Sequence, residues 1–413
     1  MDFKPRSHEK IQQLLDKGVN IPNPATLDIG DDVRIDQISG QGTTIYPGCR
    51  IYGKKTVISA DCKLGYEAPA TIEDCRLGPR VELKGGFFSK SVFLEKANLG
   101  MGAHVREGCL LEEEAGGAHC VGLKQTILFP FVTLGSLINF CDCLMAGGTS
   151  RSNHSEVGSS YIHFNFTPDA DKTTPSLLGD VPRGVMLNRP PIFLGGQGGI
   201  IGPVRLGYGN VVAAGSVLRH DYPEDGLLIF ETTPAAGAKD FLPAAYPNLR
   251  KIVENNFLYL ANLCALESWY THVRKPFLEA QPFGSLLYAG VLETLASAGK
   301  ERLKRFKAMA QKAAASPGKN VEARQELHRQ AGYFEDLFTG KIPDVFTAAE
   351  PLRNAFLEEF WKSTGNDKTD YIGAVQSLPG AVSAKGTQWL SGIVQALCDA
   401  AARALPSMGL YKS

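Results

Sequence analysis

With 413 residues the chain can hold two or three domains and bury a large core. Its 43 Lys plus Arg match its 43 Asp plus Glu, which excludes the one-signed field that draws in nucleic acid or anionic membrane. Nine cysteines without a CxxC pair, a polar N-terminus and no run of about 18 apolar residues are expected of a reduced, cytoplasmic protein without metal, leader or membrane span.

In chain order, the first predicted element is a short helix within residues 1–26. Ser7 would cap it, Ile11, Leu14 and Leu15 share one face, and Gly18 ends it. From 27 to 232 apolar residues recur every six positions: Ile45, Ile51 and Val57; Phe93, Leu99, Val105 and Leu111; Ile200, Leu206, Val212 and Leu218. Period six matches neither a helix nor a half-buried strand. It fits one side of a triangular coil with a large aliphatic pointing inward, three sides closing a turn of about 18 residues. Stacked coils bond as parallel strands, and roughly ten of them make a prism. Glycine directly after the aliphatic suits corners where a side chain would crowd the backbone.

A Pro/Ala-rich segment near 232–249 ends the coils, and the period turns helical. Leu249, Ile252, Val253, Phe257, Leu260, Leu263 and Cys264 line one face of a helix expected to stop before Pro276. Further helices are expected at about 284–298, 300–315, 320–338, 351–363 and 387–404, so 233–413 reads as an all-helical domain. The stretch 299–312, "GKERLKRFKAMAQK", puts Leu303, Phe306 and Met309 on one face. Lys300, Arg302, Lys304, Arg305 and Lys307 cover much of the remainder, as on a solvated helix or, alternatively, one facing a membrane or an acidic partner.

Residues 192–218, "IFLGGQGGIIGPVRLGYGNVVAAGSVL", resemble the final coils of left-handed β-helix hexapeptide-repeat acyltransferases. The resemblance is closest to the acetyltransferase half of the bifunctional enzymes of UDP-N-acetylglucosamine synthesis. It covers roughly residues 28–232. The nucleotidyltransferase signature of their other half is missing, so pyrophosphorylase activity is not expected.

The resemblance implies left-handed coils, a homotrimer, and acetyl-CoA as co-substrate in a groove between neighbouring prisms. Gly195, Gly196, Gln197, Ala213 and Ala214 would lie along the cofactor, although tight corners alone also explain them. His154 resembles the catalytic base, Asn165 the asparagine of an "NYDG" element in which Phe166 replaces tyrosine, and Lys172 the family lysine. The aspartate-glycine turn of that element is absent. The spacing from His154 to Asn165 is short by most of a coil, so a second alignment brings Arg183, Asn188 and Arg189 nearer the acceptor instead. His163 is a rival base, and Arg151, Lys172, Arg183 and Arg189 are candidate phosphate ligands.

The resulting expectation is acyl transfer from acyl-CoA to an amino-sugar phosphate or nucleotide sugar, with a histidine base, direct attack on the thioester and backbone N–H groups holding the oxyanion. A non-catalytic hexapeptide-repeat scaffold or sugar-phosphate-binding protein is the alternative. A carbonic-anhydrase-like prism would need a third histidine beside His104 and His119, whose spacing does not suit it.

Overall fold

The computed structural model describes residues 6–411 apart from Phe166, Ala170, Thr233, Pro234, Lys239, 317–319, Pro343, Ala348 and Asn366. The hexad aliphatics are the inward residues of a three-sided parallel β-helix. Phe93, Leu99, Val105 and Leu111 are all fully buried and lie on successive sides. The first side (face 1) begins with Asp28–Ile29 pairing Arg50–Tyr52 and ends at Val217–Leu218. Face 2 runs from Val57–Ile58 through Val92–Phe93 to Ser176–Leu178 and Arg205–Leu206. Face 3 carries ten strands, from Thr44–Ile45 to Leu228–Ile229. The seven-residue strands Gly122–Leu128 and Asn139–Met145 run through the corner from face 1 to face 2, joining them into one sheet.

Backbone contact between coils explains the glycine that follows so many inward aliphatics. A Cβ on Gly195 would lie 2.3 Å from the Ala214 nitrogen of the next coil. The left-handed turns themselves are made largely by other residues. Asp74, Lys90, Gln125 and Asp142 all have φ between 47° and 58° at the corner from face 1 to face 2.

Helix α1 (His8–Asp16) closes the N-terminal end with Ile11 and Leu14 in the core. Ser7 does not cap it; its Oγ accepts the Ile29 N–H at 3.1 Å, tying the helix to the first coil. Helix α2 (Val181–Gly184) lies in an insertion between coils.

The C-terminal part contains α3 (Leu249–Trp269), α4 (Lys275–Glu279), α5 (Gly284–Ala315), α6 (Val321–Arg329), α7 (Ala331–Phe338), α8 (Asp344–Thr347), α9 (Glu350–Thr364), α10 (Tyr371–Gln376) and α11 (Gly380–Arg403). The chain stays helical past Pro276 because a π turn, Tyr270–Arg274, resets the register. The proline thus falls in the first turn of α4, where no N–H is needed. Gly299 does not interrupt α5, so the two helices expected there are one, while 320–338 divides into two.

Helices α3 and α5 lie on face 2. Deep in that contact Arg274 pairs with Glu113 at 2.5 Å, and Arg302 pairs with Asp142 at 2.6 Å. The Arg274 guanidinium also sits 3.7 Å from the centre of the Tyr371 ring. Next to Glu113, the carboxyl of Glu112 accepts the Tyr270 hydroxyl. Burial pushes it up to about 7 against the pull of Arg274, so the folded state favours its proton. Its contribution to stability is therefore complete below its ordinary value near 4.5 and declines as pH rises towards 7. A Glu112→Gln variant should lose less stability than wild type between pH 5 and pH 8 in denaturant titrations. Equal losses in the two proteins would contradict this reading.

Candidate active site

The β-helix can absorb extra residues only at its corners, and Arg151, His154, Asn165, Lys172, Arg183, Asn188 and Arg189 sit on such insertions. Between Met145 on face 2 and Glu156 on face 3 the chain makes an antiparallel hairpin, with Gly148 paired to His154. One coil later, residues 179–192 emerge at the same corner, and the Gly148 N–H donates to the Arg189 carbonyl at 3.1 Å. The loop 165–175 leaves by a different corner, between Phe164 on face 1 and Ser176 on face 2.

His154 is held by its own hairpin. Its Nδ1 is 2.8 Å from the Arg151 carbonyl oxygen, and a carbonyl can only accept, so Nδ1 carries the proton. That leaves the Nε2 lone pair free to take another. The imidazole is 20% exposed, and Nε2 lies 3.6 Å from a Glu156 carboxylate oxygen. Sequence reasoning passed over Glu156; its position two residues after His154, leading into a strand, was the available signal. Arg151 is fastened to earlier coils, donating to the Glu114 and Phe131 carbonyls and to Thr133 Oγ1 at 2.8–3.1 Å.

His163 is in a different environment. It is buried, its Nε2 is 2.7 Å from Ser176 Oγ, and its ring stands edge-on to Phe140. Burial holds its pKa down at about 4, so the ring is neutral at pH 7 and faces the interior of the prism. Asn165 donates from Nδ2 to Asp142 at 3.1 Å, the same carboxylate that pairs with Arg302. The Lys172 carbonyl accepts from Arg302 at 2.6 Å. Tyr246 donates to Asp171, and Lys312 to the Asp169 carbonyl, so this loop is clasped by the helical part. Phe166 lies outside the described residues. Asp142, between Cys141 and Cys143, is a further partner of Asn165 that the sequence did not single out.

Arg183 pairs with Asp180 and Asp225 and lies over the Tyr208 ring. Asn188 donates to Ser383 Oγ on α11, while the Arg189 Nε is buried without a hydrogen-bond partner. Arg151, His154, Asn188 and Arg189 thus share one corner; Asn165 and Lys172 belong to another, and His163 lies inside face 1 just before it. Gly195, Gly196 and Gln197 form the third corner, between faces 3 and 1, beside Ala213 and Ala214 of the next coil. From His154 to Gly158 is four extended residues, roughly 13 Å, so face 3 alone separates the base from the glycine corner.

The outward residues of face 3 change character at this level. In register after Thr133 come Glu156, Phe193, Val211 and Leu228. Phe193, Val211 and Leu228 are 40%, 42% and 69% exposed. Around the glycine corner, face 1 adds exposed Ile162, Phe164 and Ile201. An apolar surface therefore begins where His154 and Glu156 end. Among the described residues there is no group of three or more His, Cys, Asp or Glu able to hold a metal, and no helix is long and apolar enough to cross a membrane.

No protein-family model matches the chain. Among curated proteins, it is similar to the bifunctional protein GlmU of Thermotoga maritima, 31% identical over 214 residues that make up 52% of this chain and 42% of the relative. The bifunctional protein GlmU of Fervidobacterium nodosum is 30% identical over 219 residues, 53% of this chain and 43% of the relative. The chain thus spans less than half the length of the curated relatives it matches. A solved UDP-N-acetylglucosamine acyltransferase from Campylobacter jejuni is matched over 50% of this chain and 67% of its own at 14% identity, with a TM-score of 0.15 that is too low to speak for a shared fold. With the coiled architecture and the GlmU relatives together, the resemblance to hexapeptide-repeat acyltransferases read from residues 192–218 holds.

Proposed function

We infer that this protein transfers an acyl group from acyl-CoA to the amine of an amino-sugar phosphate or nucleotide sugar at the corner between faces 2 and 3. The observation that carries this reading is the His154 imidazole, whose Nδ1–H is fixed on the Arg151 carbonyl while Nε2 faces outward beside Glu156. Nε2 takes a proton from the acceptor nitrogen as that nitrogen attacks the thioester carbonyl. The tetrahedral intermediate then collapses, the C–S bond breaks, and the imidazolium returns the proton to the departing thiolate. Glu156 stabilises the imidazolium in between. The extended apolar surface of faces 3 and 1 suits the contact of one prism with another, and supports a homotrimer that would cover it.

A second reading, a sugar-phosphate-binding scaffold without catalysis, draws support from a separate observation: Asn165 and the Lys172 carbonyl are engaged in holding the helical part.

Acetyl-CoA turnover should be measured against a panel of amino-sugar phosphates and nucleotide amino sugars. His154→Ala should lower kcat by about 10²–10⁴-fold with the fold intact. Release of CoA at an unchanged rate would move the base elsewhere, and no release with any acceptor would favour the scaffold. Separately, Val211→Glu places a charge on the apolar row and should shift the protein towards monomer in light scattering. An unchanged mass would show that the subunits meet on another surface.

A further inference from the structure

A cleft of about 790 Å³, with no residue of the His154 hairpin in its walls, lies between the corner joining faces 1 and 2 and helix α5. That volume is within the range of small-molecule sites. Its walls carry seven cationic side chains against four acidic ones, on a chain whose total charge is zero. The acidic groups are already answered. Glu293 takes Lys55 at 2.9 Å and Arg76 at 3.1 Å, Glu107 takes Lys124 at 2.7 Å, and Glu301 takes Arg305 at 2.7 Å. Asp74 accepts the Lys55 backbone N–H at 3.0 Å. Lys90, Lys300 and Lys304 are exposed and, among the described residues, have no carboxylate partner.

The floor of the cleft is a column of successive corner residues: Asp74, Lys90, Gly108 and Gln125. Gly108 leaves room for the Gln125 amide, since a Cβ there would lie 2.4 Å from Gln125 Nε2. Gln125 is only 6% exposed, and its Oε1 has no hydrogen-bond partner. A buried carbonyl oxygen of this kind is costly unless a donor reaches it. Three unpaired ammonium groups above a buried acceptor call for a ligand that is anionic at one end and offers an O–H or N–H at the other.

We propose that the cleft between the β-helix corner and α5 binds a phosphorylated small molecule, its phosphate held by Lys90, Lys300 and Lys304 and a hydroxyl or amine donating to Gln125. The basic stretch of α5 then has a task that neither a solvated helix nor a membrane-facing one describes. Arg302, Leu303, Phe306 and Met309 are buried, Arg302 against Asp142 of the β-helix, while Lys300 and Lys304 line the cleft. This site does not depend on acyl transfer and is formed in part by the helical region, outside the coils.

Isothermal titration of the full chain with pyrophosphate, ADP and glucose 1-phosphate tests it. All three should bind at low salt and weaken as salt is raised. Lys300→Ala/Lys304→Ala, on an exposed helix face, should weaken each by about tenfold or more at an unchanged thermal midpoint. Gln125→Met should weaken ADP and glucose 1-phosphate while sparing pyrophosphate. Absence of binding by every probe, affinities unchanged in the double lysine variant, or binding confined to long polyanions such as RNA would each overturn the proposal. Unchanged affinities in that variant would place the ligand at another site, such as the His154 corner. Equal affinities of all probes for Gln125→Met and wild type would remove the role given to Gln125.

Discussion

Each coil of this protein must come back beneath its predecessor so that its N–H and C=O groups meet those of the next strand. Every face therefore has fixed inward positions, and a coil can lengthen only where the chain turns. Arg76 pairs with Val92 and Val92 with Leu110, close to the ideal repeat. Glu156, by contrast, pairs with Phe193, because the loop 165–175 and the insertion 179–192 intervene before the register is recovered. The hairpin that presents His154 is a product of the same rule. So is the glycine corner, where neighbouring backbones approach too closely for a Cβ.

The helical part uses those extrusions as handles. Asn262 accepts from the Val181 N–H, Gln376 donates to the Thr149 and Leu187 carbonyls, and Asn256 donates to the Thr173 carbonyl. Between these handles, two arginines pair with carboxylates in a contact that excludes water. Such pairs recover little net energy after desolvation, yet leaving one partner alone is costly, so they fix which face the helices cover. Face 2 is thereby taken up, and faces 1 and 3 are left with the apolar residues of the last coils.

The architecture was legible because an inward residue meets the same surroundings in every coil. Leu99 and Val105 must be aliphatic for one reason, and that reason recurs every six residues. Helix boundaries were less legible: Pro276 looked like a stop because only the π turn before it makes the proline harmless. The candidate site was legible in its residue types but not in its grouping. His154 and Asn165 are neighbours in sequence, and six residues of coil are enough to turn the chain onto another face. Asn165 therefore faces Asp142 and Arg302, while His154 faces Glu156. Glu156 itself was hidden because its partner distance depends on the hairpin, and the cleft over Gln125 was hidden because it needs helix α5, far away in sequence.

The central proposal is that acyl-CoA lies between the His154 hairpin and the glycine corner, along face 3 of the last coils where one prism would meet the next. Hydrogen–deuterium exchange with and without acetyl-CoA tests it most directly. The account predicts slower exchange in 146–157, 193–199 and 211–216, with the loop 165–175 unchanged. Protection confined to other segments, or none at saturating acetyl-CoA, would contradict it.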